Sequence, residues 1–446
     1  MLTLGRWVNR LLPVPLAIEC PMMRILGREH EPPLFTGSGR ISVPSRTTLE
    51  FIMHAHPRSD VSVLARYKRA KDNPDSIHDQ FRLEATDYEG NEWVGGWTDI
   101  QIGEVCAGVW RLSGLLNLLT TGVSGHWVQS ESSVELVYDT ELRLPMRTNM
   151  ATTVIRDGKE VLRSWEPGSQ IVEVAGTSIE FFHAAEGRAI WATAKTSSQF
   201  RHPHAENWIS EPLRFLLGQL VFPRLVARNK GDGTAEVWLR RTPQRMADPL
   251  VASILGEDPL GAYDRFWALY RDLLAMIVDA TDENGHANFE AHPLTAYYHE
   301  IADASVASNW VLCMTLASVA EGITEMVAPT ADRPSSHPFE TIEDLRQRLL
   351  QWHGDEGLRS RALGFLSNVE RARDGTHRVL SRMCTEGLLD DEQVAVWKSV
   401  RNRVMHGEMI APWVDTELRQ KIQILASLVH RLALVYVRKC AETRAC

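Results

Sequence analysis

Apolar residues follow two rhythms along this chain, and the change falls near residue 243. Before it they alternate with polar residues in short runs. Phe81-Arg82-Leu83-Glu84-Ala85-Thr86 alternates cleanly, and Glu89-Gly90-Asn91 reads as a turn back into Glu92 to Trp97. A period of two is the mark of a strand with one covered face. Similar runs occur at Thr47 to His54, Val134 to Tyr138, Ile171 to Val174, Ser178 to Phe182 and Ala189 to Ala194. Thr153 to Arg156 and Lys159 to Leu162 flank Asp157-Gly158, a strong two-residue hairpin signal. Many short strands about ten residues apart predict a sandwich or distorted barrel. A helix is expected over 206–222, with Pro212 early, Leu213, Leu216, Leu217 and Leu220 as its stripe, and Pro223 as its stop. A last hairpin about Lys230 to Gly233 extends the β-rich part to Thr242-Pro243.

From there the period lengthens to that of a helix. Helices are predicted over 262–278, 295–327, 341–352, 359–368 continuing to 383, between Asp390 and Gly407, and over 415–440, with a proline-rich interruption at Ala328 to Pro338. That interruption is either a loop inside a bundle or a flap over a site. In the last helix Ile422, Leu425, Val429, Leu432 and Tyr436 are spaced 3, 4, 3 and 4, which is a stripe that packs on another helix. The expected fold class is therefore α+β, with a β-rich domain over 1–243 and an all-helical domain over 244–446.

Composition narrows the function. The chain has 446 residues, 44% of them hydrophobic, and a formal net charge of −9. Such acidity argues against a protein that coats nucleic acid along its whole surface, since non-specific binding scales with the phosphates neutralised. Any contact with RNA has to be local. Cys20, Cys106, Cys313, Cys384, Cys440 and Cys446 form no CxxC pair, as expected of buried thiols in a reducing compartment. No run of 18 apolar residues suggests a membrane span. Arg6 and Arg10 ahead of Leu11 to Ile18 faintly imitate a signal peptide, but Pro13 and Pro15 interrupt the run and Glu19 is wrong for a cleavage site. A cytoplasmic protein without membrane contact is expected. There is no phosphate-cradling GxxxxGKS/T loop and no Rossmann fingerprint, so no nucleotide-driven motor is expected. His54-Ala55-His56 and His202-Pro203-His204 lack a third ligand at metal spacing, so neither a metal nor another cofactor is expected. Trp93, Gly95, Gly96 and Trp97 belong either to a core or to a recognition surface, and the β-rich domain reads as a binding or sensing module.

One stretch names a chemistry: Lys398-Ser-Val-Arg401-Asn402-Arg403-Val-Met-His406-Gly407. Asp390 with Gln393 makes a capping-box start and Gly407 a usual stop. Val394, Trp397, Val400 and Val404 fall on one stripe of such a helix, and Lys398, Asn402 and His406 on another. Between Lys398 and His406 there are three Lys/Arg and no Asp or Glu, a local reversal that suits an anion. Arginine grips phosphate in a fixed fork and histidine titrates near neutrality, so the two suit acid/base work on a phosphodiester. With a ribose 2′-hydroxyl as nucleophile no metal is needed: Arg401 stabilises charge on the phosphorane and His406 moves the proton. Five residues apart, the two lie roughly 140° apart on an ideal helix. Their tips converge only if the arginine wraps round, the helix loosens at Gly407, or a partner chain completes the site.

Arg-Asn-x-x-x-His followed by a small residue, on the penultimate long helix of an all-helical region, resembles the signature of the HEPN superfamily. A β-rich region ahead of it further resembles ApeA-like abortive-infection proteins. The resemblance implies a four- or five-helix bundle that usually dimerises, and a metal-independent endoribonuclease effector of antiphage defence acting on RNA such as tRNA under a phage-derived or nucleotide trigger. Arg401 and His406 map to the catalytic pair and Asn402 to the polar second residue. Lys398 and Arg403 would hold adjacent phosphates, and Glu321 matches the acidic residue that an earlier helix often adds. Two other readings stay open: a catalytically inactive module that binds nucleotide, RNA or protein, and a structural pair in which Arg401 forks onto a carboxylate such as Glu321 or Glu408.

Overall fold

The computed structural model describes residues 2–27, 32–58, 60–73, 80–138, 142–146, 149–156, 159–166, 168–183, 189–242, 249–282, 284, 285, 287, 292–330, 333, 339–371, 374–405 and 416–445. The fold class is α+β: a large antiparallel sheet in the N-terminal half and helices in the C-terminal half. Two units interleave along the chain rather than meeting at one cut near residue 243. The first holds Met1–Leu213, Leu220–Arg245 and Tyr263–Asp279, and the second Arg214–Gln219, Met246–Ala262 and Ala280–Cys446.

In the first unit the strands are β1 (Leu16–Leu26), β2 (Phe35–Ser45), β3 (Thr48–Pro57), β4 (Phe81–Thr86), β5 (Glu92–Thr98), β6 (Gln101–Cys106), β7 (Val109–Leu115), β8 (Leu118–Ser124), β9 (Ser132–Tyr138), β10 (Asn149–Arg156), β11 (Lys159–Glu166), β12 (Ser169–Val174), β13 (Thr177–His183), β14 (Ile190–Lys195), β15 (Leu225–Lys230) and β16 (Thr234–Arg240). Fourteen of them pair in the order β12-β13-β14-β9-β15-β16-β8-β5-β4-β1-β2-β3-β7-β6, while β10 and β11 pair with each other. The ladder is thus one continuous sheet with β12 and β6 at its ends. Its continuity runs through β9, which joins β14 on one side and β15 on the other. One core nevertheless forms: Phe35, Phe51, Leu83, Trp93, Leu112, Leu119, Val137, Trp191 and Val237 belong to a single buried cluster, so the sheet must curl to bring them together.

The alternation of Phe81, Leu83 and Ala85 against Arg82 and Glu84 is the burial pattern of β4. The middle of the sheet breaks this rule. In β9 every residue from Ser133 to Tyr138 is buried, because the helix α3 (Ala205–Leu217) covers the other face there. Tyr138 Oη lies 2.9 Å from Ser210 Oγ, and the fully buried Glu206 accepts from Arg228 Nε at 3.0 Å and from Arg240 at 3.1 Å. Glu135, also buried, accepts from the Thr3 and Leu4 N–H groups at 2.9 and 2.8 Å, which ties the first residues to the sheet. Helix α3 ends at Leu217, earlier than Pro223 would have stopped it, because Gly218 turns left-handed at φ +60°. Pro212 is the eighth helical residue rather than an early one.

The helices of the second unit that matter here are α6 (Pro293–Ser305), α7 (Asn309–Val327), α8 (Phe339–Leu350), α9 (Glu356–Arg371), α10 (Thr376–Thr385), α11 (Asp391–Met405) and α12 (Thr416–Ala445). The single helix expected over 295–327 is two, since Ser308 caps α7 by accepting from the Val311 N–H at 3.3 Å. Likewise the run to residue 383 divides into α9 and α10. By length and composition α7 could cross a membrane, contrary to the sequence expectation, yet half of it is buried within the protein. The stripe of α12 is inside: Ile422, Leu425, Val429 and Leu432 are buried, and α12 packs on α7 of the same chain. Among the cysteines, Cys20 and Cys313 are buried, but Cys106 is exposed and Cys384 and Cys440 lie between.

Two buried histidines make this unit sensitive to acid. Burial pushes His430 and His292 down to about 4. His430 Nδ1 bonds the Tyr298 hydroxyl at 2.9 Å, and His292 Nδ1 accepts the Leu294 N–H at 3.1 Å to cap α6. Both roles suit a neutral ring. The unfolded chain takes up these protons near pH 6.5 and the folded one only near 4, so their stabilising contribution is full above about pH 6.5 and is lost as pH falls towards 4. At pH 5 each histidine costs on the order of 2 kcal/mol relative to pH 7. In urea melts at pH 7 and pH 5, His430→Gln should show a pH-dependent loss smaller than wild type by about that amount.

Candidate functional site

Helix α11 begins with one half of the expected capping box, the Gln393 side chain reaching back to Asp390. The Asp390 N–H donates to Gln393 Oε1 at 3.1 Å, and Gln393 Nε2 donates to Ser427 Oγ of α12 at 2.9 Å. Asp390 also pairs with Arg431 at 2.9 Å. Val394, Trp397, Val400 and Val404 are all buried, and the Trp397 indole N–H reaches the Ala317 carbonyl of α7 at 3.2 Å. These contacts set the rotation of the helix. Lys398, Asn402 and Arg403 therefore face outward and are exposed, and Arg401 stands at the margin.

Arg401 Nε donates to Glu321 Oε1 of α7 at 2.6 Å, with 39% and 36% of the two side chains exposed. The structure thus brings Arg401 and Glu321 together in a place that solvent reaches. Arg403 acts instead on Cys313: burial raises that thiol to about 11, and the guanidinium opposes the shift. His406 lies outside the described residues, as do Gly407 and Glu408.

A residue that the sequence did not single out joins this surface. Tyr297 of α6 places its phenol in the space that a Cβ on Gly322 would need, immediately beside Glu321 in the chain. The signal was a lone glycine inside a helical pattern, which often marks a close approach by a neighbour. Further along α7, Glu325 accepts the Thr330 N–H at 2.6 Å and the Thr330 hydroxyl at 2.7 Å and pairs with Arg333 at 2.6 Å. The Thr330 N–H is the largest cause holding the Glu325 carboxyl below its usual value. Arg333 is buried and also donates to the carbonyls of Ala328 (2.7 Å) and Asp374 (3.2 Å). Where described, the proline-rich segment is thus pinned to α7 and to the residue preceding α10's first turn, as a loop inside the bundle would be.

The histidine pairs take separate roles. His54 and His56 both point outward from β3, while His202 Nε2 bonds the Asn229 carbonyl at 3.2 Å and the His204 ring packs on Trp208. Among the described residues no three His, Cys, Asp or Glu side chains come together as a metal site. Of the Trp-Gly motif, Trp93 is core and Trp97 is half-buried.

No protein-family model, no curated protein and no solved structure matches this chain.

The two kinds of contact on α11 should separate in stability measurements. Arg401→Ala and Glu321→Gln should each cost no more than about 1 kcal/mol, the range of solvent-exposed ion pairs. Trp397→Ala, which empties a buried indole, should cost about 3–5 kcal/mol. Chemical denaturation of the three variants checks this, and a loss above 2 kcal/mol for Arg401→Ala would mark the pair as structural.

Proposed function

We propose that this protein is a metal-independent endoribonuclease of the HEPN type, an effector of antiphage defence by abortive infection. The observation that carries the reading is Arg401 standing at a solvent-reachable margin of α11 and meeting Glu321 of α7. A guanidinium that keeps a carboxylate on one side retains N–H donors for a phosphate on another. In the reaction the 2′-hydroxyl attacks the adjacent phosphorus and the 5′-oxygen leaves. His406 takes the proton from the nucleophile or gives one to the leaving group, and Arg401 steadies the phosphorane oxygens. Asn402 positions the backbone, while Lys398 and Arg403 hold neighbouring phosphates. A second copy of the chain would supply the opposite half of such a cleft, and the β-rich unit would receive the phage-derived or nucleotide trigger.

A second reading is favoured by the same ion pair. With Nε committed to Glu321 at 2.6 Å, Arg401 can serve as a fixed strut in an inactive module that binds RNA, nucleotide or protein.

Incubation of the purified protein with total tRNA in EDTA separates the two. Cleavage is expected to persist without divalent metal, to leave 2′,3′-cyclic phosphate ends, and to fall at least about 100-fold in Arg401→Ala and His406→Ala. Cleavage that EDTA abolishes, or that both variants retain, would overturn the nuclease reading. Binding without cleavage would favour the inactive module.

A further inference from the structure

Helices α8 and α9 form a hairpin whose contacts are mainly with each other. Ile342 and Leu366 are its buried side. A second side is apolar as well. Leu345 and Leu349 of α8 and Trp352 just past its end recur at spacings of 4 and 3, and Leu358, Ala362 and Phe365 of α9 do the same. Between the two rows lies an open groove of about 350 Å³, lined by Leu345, Arg348, Leu349, Trp352, Leu358 and Ala362. Leu345, Trp352, Leu358 and Phe365 are 40% to 67% exposed. Together they leave roughly 400 Å² of apolar surface in water, as much as the largest patch on a typical monomer, where function often resides.

The groove is formed before anything enters it. Trp352 lies so close over the Gly354 backbone that a Cβ there would fall 2.1 Å from the ring. Arg359 donates to the Trp352 carbonyl at 3.3 Å, and Asp355 caps α9 by accepting the Leu358 N–H at 2.7 Å. Walls fixed in this way lose little freedom when a partner arrives.

Charge and shape select that partner. Between Glu340 and Phe365 five carboxylates stand beside four guanidiniums, and Arg346, Arg348 and Arg359 pair within the hairpin with Glu343, Asp344 and Glu356. RNA or an anionic membrane needs an excess of cations, which this face lacks. A two-fold axis doubles whatever charge a face carries, so a nearly balanced face is the kind that can meet its own copy. The shape matches itself too. Phe365, the most exposed of the four, stands one turn beyond the small Ala362 that lines the groove, so knob and hole share one face. A two-fold axis brings each knob to the other copy's hole. Two copies contribute roughly 800 Å² from these four side chains, and the groove walls with the Arg348 stem carry the total to about 1,000 Å², the least that a specific interface needs.

We propose that the hairpin of α8 and α9 is a homodimer interface, in which the Phe365 ring of each copy fills the groove between Leu345, Trp352 and Leu358 of the other. Dimerisation through this face needs neither Arg401 nor His406, so it stands or falls apart from the nuclease reading.

Sedimentation velocity of the full chain from about 1 to about 200 µM brackets the micromolar dissociation expected of so small an interface. Phe365→Glu and Leu345→Lys, both at exposed positions and with melting curves unchanged, should each weaken the dimer at least about 100-fold. Mixed in equal amounts they should restore it, because the mixed pair keeps one native knob in a native hole and sets the new carboxylate beside the new ammonium in the other. A wild type that is monomeric throughout the range would overturn the proposal, as would a dimer that both variants leave intact. A monomeric wild type that binds phosphatidylcholine–phosphatidylserine vesicles, and is released from them by Phe365→Glu, would give the face to a membrane instead and overturn it equally. Cleavage of tRNA, measured in parallel, keeps the two ideas apart: a monomer that cleaves removes the interface and leaves the nuclease, and a dimer broken by both variants in a chain that cleaves nothing does the reverse.

Discussion

The candidate chemistry of this protein depends on how α11 is held. Val394, Trp397, Val400 and Val404 are removed from water, each contributing on the order of 2 kcal/mol. Trp397 adds a hydrogen bond to a carbonyl of α7. Because a helix rotates as one body, burying that stripe decides at once which side chains face out. Lys398, Asn402 and Arg403 are exposed and Arg401 is marginal for this reason alone. Gln393 fixes the other degree of freedom. It caps the helix and bonds Ser427, so α11 can neither slide nor unwind from its start without breaking a hydrogen bond.

Electrostatics in the helical unit follows the same economy. Arg401, Arg333, Arg378 and Arg382 each meet a carboxylate, on Glu321, Glu325 or Asp374. Exposed pairs of this kind add little stability. Their effect is geometric, in that each guanidinium has one preferred direction. Arg333 differs because it is buried, and there its bonds to Ala328 and Asp374 satisfy donors that water cannot reach.

In the β-rich unit the constraint is covering both faces of a sheet that curls. Around β9 and β15, and at Arg240 of β16, the outer face is closed by α3, and the polar groups this traps are answered one by one: Glu206 by two arginines, Tyr138 by Ser210. Over β5, β8 and the rest of β16 the outer face is left to side chains, and Val94, Thr120, Gly122 and Trp238 line a cavity of about 800 Å³ there.

Several elements were legible in the residues alone. The alternation of Phe81 to Thr86, the turn at Gly90, the capping box of α11 and the apolar stripe of α12 all depend on neighbours within a few positions, and local periodicity encodes them directly. The sequence by itself thus determined the α+β class, most of the element list and the buried and exposed sides of α11. Pairing decided the rest. That β9 joins β14 to β15, that α5 (Tyr263–Val278) belongs with the sheet unit and that Tyr297 fills the space above Gly322 are outcomes of contacts between distant segments. No short-range pattern carries them, because the energy that selects each partner comes from surface buried only after the chain has folded back on itself.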